Sequence, residues 1–92
     1  MWRIVESRRA RKSFEYLPEE ILKKYEKWKD IVTLSGPQGL RLFSGLKDEA
    51  LKGTWFGYRS SRLNIQYRVL YRVKGDEFLV EVVDVNAHDY RG

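Results

Sequence analysis

The spacing of apolar residues changes from helical to alternating about two-thirds of the way along the chain. The opening "WRIVE" is a short apolar run that reads as a strand. Ala10, Phe14 and Leu17 then recur at helical spacing, while Arg8, Arg9, Arg11 and Lys12 face elsewhere, which predicts a short basic helix. Pro18 suits the first turn of a second helix, and Glu19 and Glu20 follow where the helix dipole favours acids. Ile21, Tyr25, Trp28 and Val32 repeat at i, i+4, i+7 and i+11, and the "SGPQG" stretch stops the pattern. These stripes are read as core.

Beyond the loop the period becomes two. Residues 57–85 predict three consecutive strands, with Tyr67, Val69, Tyr71 and Val73 on one side and Arg68, Leu70 and Arg72 on the other. A turn is expected near 64–66, and "KGD" predicts a hairpin turn with Gly75 at positive φ. The segment from Phe78 to Val85 is apolar enough for a largely buried strand. The expected order is β-α-α-β-β-β, an α+β fold. Its antiparallel-rich twisted sheet has the two N-terminal helices packed on one face and the other face partly open.

Composition narrows the chemistry. A chain of 92 residues, 42% hydrophobic and 14% aromatic, can build one core, so residues 1–92 are expected to form one domain. With no cysteine and a single histidine, a thiolate metal site is excluded and no metal or other cofactor is expected. No apolar run approaches the roughly 20 residues that span a bilayer, and the N-terminal segment turns charged before a signal-peptide core could form. A cytoplasmic protein with no membrane partner is expected. Eighteen Lys and Arg against thirteen Asp and Glu give a formal charge of +5 and a pI near 9.6, a balance that suits RNA, DNA or an acidic protein partner.

The lone histidine, His88, follows the last strand and stands close to Tyr90. If the chain turns near 64–66, Arg62 and Arg68 lie on neighbouring strands near that turn, and Arg68 occupies an exposed strand position. Two guanidiniums can grip a phosphodiester and stabilise the added charge of a pentacovalent transition state. An imidazole can move a proton to or from a ribose oxygen, and a phenol can stack on a base or bond to phosphate. These groups suffice for metal-free RNA cleavage, in which the 2′-hydroxyl attacks the adjacent phosphorus and leaves a 2′,3′-cyclic phosphate and a free 5′-hydroxyl.

The "LKG" of 51–53, the "RSSRL" ending at Leu63, the "YRVLY" of 67–71 and the closing His and Tyr together resemble the RelE/YoeB/HigB superfamily of bacterial toxins across the C-terminal half of the chain. The N-terminal half agrees in layout. The resemblance implies a RelE-like toxin fold and a ribosome-dependent messenger-RNA endonuclease held inactive by a cognate antitoxin. The ribosome and mRNA would be the other partners. It also implies roles: Arg68 for the scissile phosphate, His88 and Tyr90 as the C-terminal pair, and Glu49 as general base, with Asp48 as the alternative acid. Arg62 matches a basic strand position that binds RNA, and Arg59 and Lys52 would contact phosphate in the same groove. Apart from the resemblance, Arg8, Arg9, Arg11 and Lys12 are helix-face charges that can contact ribosomal RNA phosphate, the alternative being that this helix faces the antitoxin or solvent.

Two departures bear on those roles. The YoeB branch has its histidine and tyrosine adjacent, whereas Asp89 separates them here, so in an extended chain they share a face. Some HigB-like members use an acid with a histidine near the last strand, and Asp84 with His88 offers a similar pair. A ParE-like gyrase inhibitor, which needs no catalytic histidine, and a non-catalytic RNA- or antitoxin-binding domain are the alternatives.

Overall fold

Strand β1 (Arg3–Glu6) leads directly into helix α1 (Arg8–Phe14), and one side chain makes the corner. The Ser7 hydroxyl caps the helix by accepting from the Ala10 amide at 3.0 Å, and it donates to the Val83 carbonyl at 2.6 Å. The computed structural model describes residues 1–88. Helix α2 (Glu19–Ser35) follows, with Pro18 at its N-cap and Glu19 and Glu20 in its first turn. Its buried residues are Ile21, Tyr25, Trp28 and Val32, the stripe expected from the spacing. Gly36 ends the helix at φ +78°. A Cβ there would lie 2.7 Å from Trp2 Nε1, so both the backbone and the packing require glycine.

Short 3-10 turns over Pro37–Leu42 and Ser44–Leu46 carry the chain to a two-residue strand, β2 (Glu49–Ala50). Strands β3 (Arg59–Arg62), β4 (Arg68–Lys74) and β5 (Leu79–Asn86) complete the sheet. The strand order is β1-β5-β4-β3-β2, with β1 parallel to β5 and the other pairs antiparallel. The sequence pattern foresaw every strand but β2, which is too short to show a period.

Helix α2 packs its stripe on Val69, Tyr71, Val80, Val82 and Val85, with Ala10 of α1 in the same cluster. Trp28 stands between Tyr25, stacked at 5.9 Å, and Tyr71, edge-on at 5.2 Å. Each fully buried side chain of this size contributes about 1.5–3 kcal/mol. The Tyr25 hydroxyl donates to Glu6 Oε2 at 2.6 Å, and burial together with Glu6 pushes the phenol far above its ordinary pKa, so it stays a donor. The opposite face of the sheet carries a smaller cluster, Leu51 and Leu70 with Trp55, Tyr58 and Val83.

The β4–β5 connection differs from the expected hairpin turn. Gly75–Glu77 form a 3-10 turn, and the residue at positive φ is Phe78 (φ 51°), not Gly75. The left-handed conformation costs a side-chain-bearing residue energy. Here the Phe78 ring packs edge-on against Trp2 at 5.4 Å, which offsets that cost. Further along β5, Leu70 pairs with Asp84 but Tyr71 pairs with Val82, leaving Val83 as an extra residue. Bulges of this kind re-aim side chains, and Asp84 is turned to α1.

Candidate functional site

Directly opposed residues in an antiparallel sheet share a face, so the strand register assigns each candidate its side. Arg62 opposes Arg68, which in turn opposes Asn86. Glu49 opposes Ser60, which opposes Leu70. Both rows lie on the face away from α2. From strand spacing and rise, Glu49 and Arg68 are about 12 Å apart at their Cα atoms, a gap that two long side chains can close on one substrate.

Adjacent candidates fall on the other side. Asp48 precedes Glu49 and therefore faces the helices, where its side chain is completely buried. Its Oδ2 accepts from Arg59 Nη2 at 2.7 Å and Nε at 3.1 Å, and its Oδ1 accepts from Ser61 Oγ at 2.7 Å and from the Tyr71 hydroxyl. Burial, then the Asp48 charge, raises the Tyr71 pKa well beyond its ordinary value, which fixes the phenol as donor. Arg59 is thus committed to an internal ion pair on the helix-side face. It does not share a groove with Lys52 and Arg62 as expected, because its offset of three from Arg62 reverses its direction. Asp48 is likewise withdrawn as the alternative to Glu49.

Arg68 also departs from expectation. It is 7% exposed, not an open strand position, because β3 and β5 flank it and its guanidinium folds onto the His88 carbonyl. Its Nη1 donates to the His88 carbonyl at 3.1 Å and to the Gln66 carbonyl at 3.4 Å, which uses only part of its fork of donors. His88 is exposed, and its backbone is held from both sides: its carbonyl by Arg68, its amide by Asn86 Oδ1 at 2.8 Å. Asn86 was not singled out from sequence. The available signal is its place two residues before His88, where an Asn side chain accepts from the backbone two residues on.

Asp84 anchors this arrangement from behind. It is 3% exposed and accepts from Arg9 Nε at 2.7 Å, Asn86 Nδ2 at 2.7 Å, the Val85 amide at 2.8 Å and the Ser13 hydroxyl. Burial alone would raise its pKa, but the bonds from Ser13, Asn86 and Arg9 outweigh that and hold it below its ordinary value. In the described contacts it reaches His88 through Asn86. Tyr90 lies outside the described residues.

Helix α1 divides its cations. Arg9 belongs to Asp84, and Arg11 Nη1 donates to the Glu6 carbonyl at 3.0 Å. Arg8 and Lys12 are exposed beside Tyr16 on a concavity of about 430 Å³. A larger groove of about 670 Å³ runs between α2, the 3-10 turns and the β3–β4 connection. Its walls include Trp28, Ile31 and Phe43, Lys24 and Lys27 supply its charge, and Arg62 lies at its rim. Among the described residues, no three His, Cys, Asp or Glu side chains converge as metal ligands, and no helix is long and apolar enough to cross a membrane.

No protein-family model and no curated protein matches the sequence. Solved structures do match the fold. YafQ from E. coli strain BL21(DE3) superposes with a TM-score of 0.77 at 16% identity, over 96% of this chain and 94% of that one. A YoeB/ParE toxin from Agrobacterium tumefaciens gives 0.76 at 23%, over 97% and 100%. A YoeB–YefM complex from Staphylococcus aureus gives 0.74 at 23%, over 97% and 99%. The chain therefore has the fold of the YafQ and YoeB toxins, which is the RelE-like α+β fold expected from the motifs.

Proposed function

We propose that this chain is the toxin of a toxin–antitoxin pair and that it cleaves messenger RNA on the ribosome. The observation that carries this reading is the Arg62–Arg68 pair, directly opposed on the sheet face that also carries Glu49 and leads to His88. Like charges across a ladder cost stability when nothing lies between them. A phosphodiester between them turns the cost into a gain, through charge-assisted bonds to its oxygens.

In this mechanism Glu49 takes the proton from the 2′-hydroxyl as that oxygen attacks the adjacent phosphorus. The bond to the 5′-oxygen breaks, and His88 supplies the proton that the departing oxygen needs. Arg68 and Arg62 stabilise the charge that builds on the phosphorane. Tyr90 orients the leaving nucleotide or stacks on it. No step draws on a metal ion. Lys52, Arg8 and Lys12 are exposed cations that bind RNA phosphate, whereas Arg59 and Arg9 serve the fold.

The neutralising partner is an acidic antitoxin segment. Solved relatives of this fold include a toxin bound to YefM. The groove beside α2 suits such a segment, since its walls are apolar and Lys24 and Lys27 complement acidic side chains.

The test is to incubate the protein with translating ribosomes and identify the ends of the message. Cleavage leaving a 2′,3′-cyclic phosphate and a 5′-hydroxyl, undiminished when EDTA is added after ribosome integrity is secured, is the expected outcome. Intact message together with inhibited gyrase supercoiling would replace this reading with that of a ParE-like inhibitor.

A further inference from the structure

The β2–β3 connection "LKGTWFGY" contains two large aromatic residues side by side, and the fold treats them oppositely. Trp55 turns inward, edge-on to Tyr58 at 5.5 Å and packed with it on Leu51 and Leu70. Phe56 turns outward and is 82% exposed. The loop that holds it is closely built. Gly53 and Gly57 take positive φ of 62° and 95°, and a 3-10 turn spans Gly53–Trp55. The Phe56 amide donates to the Gly53 carbonyl at 3.0 Å, and the Leu51 amide closes the base of the loop on the Tyr58 carbonyl at 2.9 Å.

Two features say what an exposed ring in such a loop is for. The residues around it, Lys52, Gly53, Thr54 and Gly57, are exposed and either polar or without a side chain. They do not extend the ring into the continuous apolar patch that a protein partner covers. The loop also packs on Leu70, which shares a sheet face with Arg68 and Glu49. Its base, the Leu51–Tyr58 rung, lies two residues beyond the Glu49–Ser60 pair, about 7 Å along the strand. That displacement suits the nucleotide next to one engaged by Glu49.

We infer that Phe56 is a stacking platform for an unpaired nucleobase, with Lys52 binding the phosphate that adjoins it, so that this loop holds the base flanking the cleavage point in place. Stacking of a base on an aromatic ring is tolerant of sequence but sensitive to the overlap of the two rings, and purines gain more from it than pyrimidines. The ring is held on a short, hydrogen-bonded loop and so meets the base in a fixed position. The inference rests on the RNA reading proposed above.

The test uses the full chain and a single-stranded oligoribonucleotide carrying 2-aminopurine, whose fluorescence falls when it stacks. Phe56→Leu keeps an apolar side chain of similar reach, and Phe56→Tyr keeps the ring; exposure of the site leaves folding unchanged in both, checked by circular dichroism. The wild-type protein and Phe56→Tyr are expected to quench the fluorophore. Phe56→Leu is expected to lose the quenching and bind on the order of 10-fold more weakly. Equal quenching by Phe56→Leu and the wild type, or none by the wild type, overturns the inference. So does a Phe56→Leu variant that quenches normally but binds its antitoxin less tightly, since the ring would then serve a protein contact. Cleavage on ribosomes is scored in parallel. A protein that quenches through Phe56 without cutting message keeps the stacking site and loses the endonuclease, whereas one that cuts message with Phe56 irrelevant to quenching loses only the stacking site.

Discussion

The two faces of the sheet are made from the same strands and much the same residue types, yet they handle charge in opposite ways. On the helix side Asp48, Arg59, Ser61 and Tyr71 satisfy one another around a carboxylate that solvent does not reach. On the other side Arg62 opposes Arg68, and Glu49 stands one strand from Arg62 and two from Arg68 with no ion pair to either. A saturated cluster resists change and fixes geometry. An arrangement of like charges accommodates an anion. Between Asp48 and Glu49, and between Arg59 and Arg62, facing separates the residue that serves the fold from the one available to a substrate, whereas Arg72 on the open face is spent on an ion pair with Glu81 at 2.5 Å.

The comparison breaks most sharply at Asp48. Asp48→Ala strands Arg59 without its carboxylate, and removing one member of a buried pair costs several kcal/mol. About 3 kcal/mol is expected, toward the low end because the Arg59 side chain is 20% exposed, and chemical denaturation measures it. A variant as stable as the wild type would show that the helix-side cluster is not structural.

Next in size is Arg68, which bridges the two roles. Arg68→Lys keeps the charge but loses the planar fork that reaches the His88 carbonyl and a phosphate together. Single-turnover cleavage on programmed ribosomes is expected to fall about 10²-fold, the scale of losing one oxyanion donor, with a small change in melting temperature. Unaltered cleavage would remove Arg68 from the site. Arg68→Ala is the poorer test, since the residue is buried and its loss would disturb the fold as well.

The smallest effect belongs to Asp84. Its folded-state pKa lies below the ordinary 3.8, so its stabilising contribution is complete above about pH 4 and is lost as pH falls through the folded-state value. Acid unfolding followed by circular dichroism should therefore be less steep in Asp84→Asn than in the wild type. The variant should also be somewhat less stable at neutral pH, where Arg9 loses its ion pair. Identical acid profiles would place the pH sensitivity elsewhere.

Much of this organisation was legible in the sequence, and the rest had physical reasons to be hidden. The α2 stripe and the alternation through "YRVLYRV" announce their elements, because burial repeats with the period of the backbone. Arg62 opposite Arg68 follows from the turn near 64–66, which forms with Asn64 Oδ1 accepting from the Gln66 and Tyr67 amides at 2.8 and 2.7 Å. The separation of Asp48 from Glu49 was hidden because it depends on β2, two residues long. The charge of Arg59 suits phosphate, and only the register, which turns it inward to Asp48, tells it from Arg62. The burial of Arg68 goes with its bond to the His88 carbonyl, a contact between residues 20 apart in sequence that no local pattern records. The Val83 bulge was equally hidden: it shifts the alternation by one residue, so that Val85 continues the helix-side row of Val80 and Val82 while Asp84 opposes Leu70.

The most direct measurement of the central claim is the single-turnover rate of message cleavage by Glu49→Gln on programmed ribosomes, with thermal stability read on the same preparation. Glu49 sits on an edge strand and makes none of the bonds that hold Asp48, so the melting temperature is expected to stay within a degree or two of the wild type, as for a surface substitution. The cleavage rate is expected to fall about 10²- to 10⁴-fold, the range for losing a general base. A Glu49→Gln protein that cuts at the wild-type rate, or one that loses activity only in proportion to lost folding, would contradict the account of the open face as the site of chemistry.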